Sequence, residues 1–264
     1  MYEFVYQKAA SVDDAISSLN SADDGTVMAG GMTLLPTLKQ RLASPSHVID
    51  LSGIGDLRGI RRDGDAIVIG AMTTHAEVAG SDMVATAIPA LAHLAGLIGD
   101  PQVRNRGTIG GSIANADPAA DYPAAVVGLN ATITTNRRRI AADDFFTGLF
   151  ETALDESELI TAVSFPIPSK AGYAKFPNPA SRYAVVGVMV AQTAGGIRVA
   201  VTGAGANAFR VGEMESALSS NFAPTAVEGI SISASDLNED IHASAEYRAH
   251  LVGVMAKRAV TAAG

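Results

Sequence analysis

The 264-residue chain contains no cysteine. That absence excludes a disulfide, a thiolate-bound zinc, a thiol nucleophile and any iron–sulfur cluster held by this chain's own ligands. Charge is sparse as well: Asp, Glu, Lys and Arg make up 17% of the residues, with 19 basic against 27 acidic side chains and a net charge of −8. The basic residues are scattered apart from Arg137-Arg138-Arg139. No electrostatic footprint for nucleic acid is present, and the triplet reads as a solvated turn. No apolar run approaches the ~20 residues that span a bilayer, and no basic segment followed by an apolar one opens the sequence. No membrane span is expected, and the expected location is the cytoplasm. Hydrophobic residues (48%) and 26 glycines are abundant, which suits a globular chain of two or three packed units.

The opening pattern alternates strand and helix. Tyr2 to Tyr6, Gly25 to Ala29 and His47 to Asp50 read as strands; Val12 to Leu19 and Leu34 to Leu42 read as helices, the first capped by Ser11 with Asp14 three residues on. A second unit starts with β-rich runs at Leu57 to Ile60 and Ala66 to Ile69 around an Asp-Gly turn. It continues through an apolar helix at Ile88 to Ile98 and strands near Ala131 to Thr135 and Glu158 to Phe165. Pro166, Pro168 and Ser169-Lys170-Ala171-Gly172 form the best candidate linker. Strands at Ala184 to Thr193 and Ile197 to Thr202, then helices near Val211 to Leu218 and Ala243 to Thr261, complete a third unit. The expected domains are therefore 1–57, 58–168 and 169–264.

Two glycine-rich segments stand out: Ala29-Gly30-Gly31-Met32-Thr33-Leu34-Leu35-Pro36 and Thr108-Ile109-Gly110-Gly111-Ser112-Ile113-Ala114-Asn115. Paired glycines let main-chain N–H groups approach a bulky anion without Cβ interference, and Thr33, Thr108 and Ser112 add hydroxyl donors. Two converging turns suit a diphosphate, whose oxygens outnumber the donors of one short turn. A tight turn or close helix–strand packing needs the same glycines, so each pair alone leaves both readings open.

The run from Ile98 to Pro123, Ile-Gly-Asp-Pro-Gln-Val-Arg-Asn-Arg-Gly-Thr-Ile-Gly-Gly-Ser-Ile-Ala-Asn-Ala-Asp-Pro-Ala-Ala-Asp-Tyr-Pro, resembles a known signature almost letter for letter. It is similar to the flavin-binding segment of the medium subunits of carbon monoxide dehydrogenase and related molybdenum hydroxylases, the xanthine dehydrogenase family. The resemblance extends over the whole chain, through Ala29 to Pro36 and Gly70-Ala71-Met72-Thr73-Thr74-His75. It implies an α+β fold: a two-part FAD-binding domain of the vanillyl-alcohol-oxidase-like (PCMH) type, then a C-terminal α+β domain with a small sheet and helices. It implies FAD as cofactor, held at its diphosphate by Ala29, Gly30, Gly31, Met32, Thr33 and Leu34 on one side and by Thr108, Ile109, Gly110, Gly111 and Ser112 on the other. Asp121 matches an acid that hydrogen-bonds the ribityl chain, Ile160 a position that packs on the isoalloxazine, Lys175 a basic position before the third sheet, and Tyr183 an aromatic lying against the flavin.

The same resemblance implies the role. A large subunit with the molybdenum cofactor oxidises the substrate, a small subunit relays electrons through [2Fe-2S] clusters, and this chain collects them on FAD for an external acceptor, in a dimer of heterotrimers. The FAD is expected to be non-covalent, since neither glycine turn contains cysteine or histidine. No catalytic residue and no metal ligand are expected on this chain. The surface at Pro101 to Arg106 is a candidate for facing the iron–sulfur subunit through Arg104 and Arg106, against a capping role for these arginines. Asp117 and Asp121 could share a helix face as metal ligands, but Pro118 between them argues against a helix interior, and the five histidines show no ligand spacing. Two other functions compete. Gly203-Ala204-Gly205-Ala206-Asn207-Ala208 after a strand is a literal nicotinamide-dinucleotide fingerprint of a self-contained oxidoreductase, although too little chain follows it for a full βαβ series. A non-catalytic assembly subunit is the third reading.

Overall fold

A computed structural model describes residues 1–264. The chain opens with β1 (Val5–Lys8), α1 (Val12–Ser21), β2 (Gly25–Met28), α2 (Leu34–Lys39) and β3 (His47–Asp50). Strand β3 lies between β1 and β2 and pairs with both in parallel. Helix α1 starts where Ser11 Oγ accepts from the Asp14 N–H, while the Asp14 carboxylate accepts from the Ala10 N–H. The capping box thus closes one residue early, on the residue before the cap.

The middle of the chain builds a second sheet. Strands β4 (Ile60–Asp63) and β5 (Ala66–Gly70) form the expected hairpin, with Gly64 at φ +57°. Leu57 belongs to a short 3₁₀ turn before it instead of the strand itself. Short helices follow: α3 (His75–Ala79), α4 (Asp82–Ala87), α5 (Pro89–Gly96), α6 (Pro101–Arg104), α7 (Ile109–Asn115) and α8 (Tyr122–Gly128). Then come β6 (Thr132–Thr135), β7 (Arg139–Ala141), α9 (Ala142–Phe145), the small hairpin β8 (Phe146–Gly148) and β9 (Glu151–Thr152), and β10 (Ile160–Pro166). The sheet order is β4-β5-β10-β6-β7, all antiparallel, so the last strand in sequence sits in the centre.

The remainder is an antiparallel meander, β11 (Lys170–Pro177), β12 (Ala184–Thr193), β13 (Gly196–Thr202) and β14 (Phe209–Arg210), covered by α10 (Gly212–Ser220) and α11 (Ala245–Ala263). The segment expected to be a linker is largely strand: Pro166 ends β10, and Lys170, Ala171 and Gly172 open β11. Gly172, which reads as a turn residue, is where α11 crosses the strand: a Cβ there would lie 2.0 Å from the Ala259 carbonyl oxygen. This glycine serves close approach of two backbones. Strand β12 is apolar from Ala184 to Ala191 because both faces of that stretch are covered. Val186, Val188 and Val190 share a core with Leu251, Val252 and Met255 of α11. Met189 and Ala191 point the other way, joining Tyr173 in the core of the middle sheet, α5 and α8. That packing holds the β11–β12 turn beside the middle of the chain.

The Gly203 motif leads from β13 into β14, which runs antiparallel to it, so the parallel βαβ unit that a dinucleotide fingerprint requires does not form. Gly203 turns the chain at φ +85° with its N–H bonded to the Pro118 carbonyl.

Candidate functional site

A cavity of about 600 Å³ opens where the β2–α2 turn, the segment from α6 into α7, the Asp117–Asp121 turn and the β11–β12 turn converge. Ala29, Gly30, Gly31, Met32, Thr33, Leu34, Thr108, Gly111, Ser112, Asp121 and Tyr183 all line it. Ile109 and Gly110 lie buried behind that wall, Lys175 sits beneath it, and Ile160 is a buried residue of the middle core.

The two glycine turns do different work. None of the main-chain N–H groups from Ala29 through Leu34 donates a hydrogen bond within the chain. They form a row of unspent donors at the start of α2, turned by Gly31 at φ +73°, and successive N–H groups in such a turn make an anion-binding nest. In the second turn the donors are spent. Ile109 N–H bonds the Thr73 carbonyl at 3.1 Å, Gly110 N–H the Ala71 carbonyl at 2.9 Å, Ser112 N–H the Thr108 carbonyl at 3.0 Å and Gly111 N–H the Thr108 hydroxyl at 3.2 Å. A Cβ on Gly110 would lie 2.6 Å from the Ala71 Cβ, and one on Gly30 would lie 2.0 Å from the Arg106 carbonyl oxygen. These two glycines therefore let the turns pack on their neighbours. What the second turn offers the cavity is the Thr108 N–H and the hydroxyls of Thr108 and Ser112.

Asp121 is held from behind. Its carboxylate accepts from the Tyr173 hydroxyl and from Lys175 Nζ at 2.9 Å, with both charged side chains almost wholly buried. Lys175 gives its other N–H bonds to the carbonyls of Leu97 at 2.9 Å and Arg182 at 2.8 Å. It ties α5, the start of α8 and the β11–β12 turn together. Burial raises the Asp121 carboxyl, opposed by Lys175 and the Tyr173 hydrogen bond. Burial likewise raises Asp117, whose Oδ1 accepts from the Ala119 N–H as a turn residue. The Tyr183 phenol is raised by burial and by the charges of Asp117 and Asp121.

Residues that the sequence did not mark as site residues also line the cavity: His75, Ile98, Gly99, Val103, Asp117 and Arg182. Ile98, Gly99 and Asp117 belong to the glycine-bearing run itself, and His75 ends the Gly70–His75 stretch; position in those runs was the available signal. His75 is 4% exposed, and its Nδ1 has no partner. Burial, with Arg104 adding to it, lowers its pKa to about 4, so the ring is neutral near pH 7. Arg104 caps the chain at the cavity mouth, donating to the carbonyls of Ile98 at 3.0 Å and Gly99 at 2.9 Å.

Residues 2–168 match the family described as the FAD binding domain in molybdopterin dehydrogenase. The chain belongs to this family. It is 36% identical over 277 residues to the carbon monoxide dehydrogenase medium chain of Hydrogenophaga pseudoflava, covering 98% of this chain and 96% of that one. It is 38% identical over 273 residues to the nicotine 6-hydroxylase medium subunit of Paenarthrobacter nicotinovorans, with the same coverage, 98% and 96%. Among solved structures it superposes on the carbon monoxide dehydrogenase from Hydrogenophaga pseudoflava that lacks the Mo-pyranopterin moiety, with a TM-score of 0.89, 36% identity and coverage of 99% and 97%. As a member of the molybdopterin dehydrogenase FAD-binding family, this chain is a flavoprotein subunit of a multi-subunit oxidoreductase, and FAD is its cofactor. The cavity suits that cofactor. A row of uncommitted main-chain donors fits a diphosphate, and buried carboxylates and hydroxyls fit a polyhydroxyl chain.

Proposed function

We propose that FAD lies in this cavity non-covalently, its diphosphate against the N–H groups of Ala29, Gly30, Gly31, Met32, Thr33 and Leu34 and the hydroxyls of Thr108 and Ser112. Ile109, Gly110 and Gly111 hold those hydroxyls in place through the second turn. Asp121 accepts from the ribityl hydroxyls, Lys175 fixes Asp121, Tyr183 lies against the ring system, and Ile160 supports the site from the core. The row of unspent donors from Ala29 to Leu34 carries this reading. Residues 1–57 and 58–168 make the two halves of the FAD-binding domain, and 169–264 the C-terminal domain that closes the cavity with Tyr183.

Bound FAD supplies one-electron acceptance and two-electron release. This chain's residues bind and orient it and shield it from water. In our reading a small subunit with [2Fe-2S] clusters delivers the electrons, a large subunit with the molybdenum cofactor oxidises the substrate, and the complex is a cytoplasmic dimer of heterotrimers. With Arg104 committed to capping, Arg106, exposed beside the cavity's second turn, is the residue left to face the iron–sulfur subunit.

Ser112 tests the cavity directly, because its hydroxyl makes no hydrogen bond inside the chain and its removal leaves the fold untouched. Ser112→Ala is expected to weaken FAD binding about tenfold, the loss of one hydrogen bond to a charged group, with unchanged thermal unfolding. FAD titration by flavin fluorescence measures it. Undiminished affinity would place the diphosphate elsewhere.

A further inference from the structure

Two buried polar atoms behind the cavity wall have no partner: Nδ1 of His75 and the hydroxyl of Tyr122. They belong to neighbouring rings, with centroids 5.4 Å apart and planes tilted by 49°. Tyr122 is fully buried as the first residue of α8, and His75 is the first residue of α3. Buried polar atoms of folded proteins are almost always satisfied, directly or through an ordered water. Burial and the adjacent Asp121 raise the Tyr122 phenol, so it keeps its proton. Asp121, the nearest carboxylate in sequence, is already engaged by Tyr173 and Lys175. The unsatisfied acceptor on the neighbouring ring is His75 Nδ1, which the phenol does not reach directly, so an ordered water is the link between them.

A neutral imidazole has one donor and one acceptor nitrogen, and the bond made by one fixes the other. If Nδ1 accepts from Tyr122 through one bridging water, Nε2 carries the hydrogen. The Nε2 edge is the one on the cavity side: His75 lines the cavity while Nδ1 is wholly buried. Gly107 supports this placement, since a Cβ there would lie 2.6 Å from Nε2. Glycine at 107 leaves room for that edge.

We propose that Tyr122 locks His75 as its neutral Nε2–H tautomer, making His75 an uncharged N–H donor to the FAD in the cavity. The proposal rests on the FAD reading above and adds a binding residue outside both glycine turns. A neutral donor suits a site already holding the buried Lys175–Asp121 pair, because it adds a directed hydrogen bond without another buried charge.

The experiment uses the purified full chain with and without FAD, labelled with ¹⁵N-histidine, and needs no substitution for its first arm. At neutral pH His75 should show a protonated Nε2 and an unprotonated Nδ1, and adding FAD should shift the Nε2 signal. A protonated Nδ1, a doubly protonated ring, or an Nε2 signal indifferent to FAD overturns the proposal. In the second arm His75→Phe should loosen FAD about tenfold, His75→Gln should recover most of the loss through its amide donor, and Tyr122→Phe should leave His75 in a mixture of tautomers. Equal affinities of His75→Phe and wild type overturn it as well. A wild-type chain that takes up no FAD fails the cavity assignment itself, and this inference with it, whereas FAD uptake with a silent His75 fails only the inference.

Discussion

Lys175 gives three hydrogen bonds, to Leu97, Asp121 and Arg182, from a side chain with 3% of its surface exposed. Removing it strands a buried carboxylate, which typically costs about 3–5 kcal/mol. Lys175→Met should lose stability of that order in urea unfolding and release FAD, and adding Asp121→Asn to it should restore part of the stability. Additive losses in that pair would show that the ion pair contributes no coupling. Gly110 takes the packing use of its motif. The paired glycines point equally to anion binding and to close packing, and only the fold separates the two uses. With Ala71 backbone 2.7 Å from the site of a new Cβ, Gly110→Val should unfold or fail to accumulate, instead of giving a folded chain without flavin. A folded Gly110→Val chain with normal Tm and no FAD would return Gly110 to the ligand side of the wall. His75 was the least legible residue: a lone histidine after two threonines carries no spacing signal, and its burial depends on α8, nearly fifty residues away.

At the scale of elements, alternation of strand and helix up to Asp50 and the Asp-Gly hairpin were readable because their signals are local. Strand β11 was not, because its opening carries Gly172, a turn residue by type, whose real cause, contact with α11 at Ala259, lies some ninety residues on. The Arg137-Arg138-Arg139 turn was read as merely solvated, but it latches the end of the central strand. Glu158, wholly buried at its side chain, accepts from Arg138 at 3.0 and 2.9 Å and from the Thr135 hydroxyl at 2.7 Å. The Arg138 hydrogen bonds are the main cause that lowers the Glu158 carboxyl from its ordinary 4.5 to about 2. A depressed folded pKa stabilises above the unfolded value and is lost as pH falls toward the folded one. The extra stability should therefore be intact above about pH 4.5 and fade between there and pH 2. Denaturant unfolding of wild type against Glu158→Gln over this range measures it. A stability difference between the two that is constant from pH 5 to pH 2 would contradict the latch.

For the whole molecule, the sequence showed three successive patterns, while the structure shows how little they act alone. The cavity takes Ala29 to Leu34 from the first sheet's connection, Thr108, Ser112 and Asp121 from the middle, and Tyr183 from the last. The middle core contains Tyr173, Met189 and Ala200 of the last sheet, and the first core contains Met72 and Leu159 of the middle. The meeting of the glycine turns was legible through the resemblance, but the sharing of cores was not, because it is set by which faces of β12 and which ends of β10 are covered. It has a thermodynamic consequence. A ligand that touches all three parts and binds only the folded chain stabilises it by an amount that grows with the logarithm of its concentration, about 2.7 kcal/mol at a hundredfold excess over Kd. FAD should therefore raise the unfolding temperature of the chain as one transition, with Tm climbing steadily as FAD is added and the loss of secondary structure coinciding with release of flavin fluorescence. Two separate transitions, with only the earlier part of the chain protected by FAD in hydrogen exchange, would mean that residues 169–264 fold apart from the cavity and that Tyr183 plays no part in closing it.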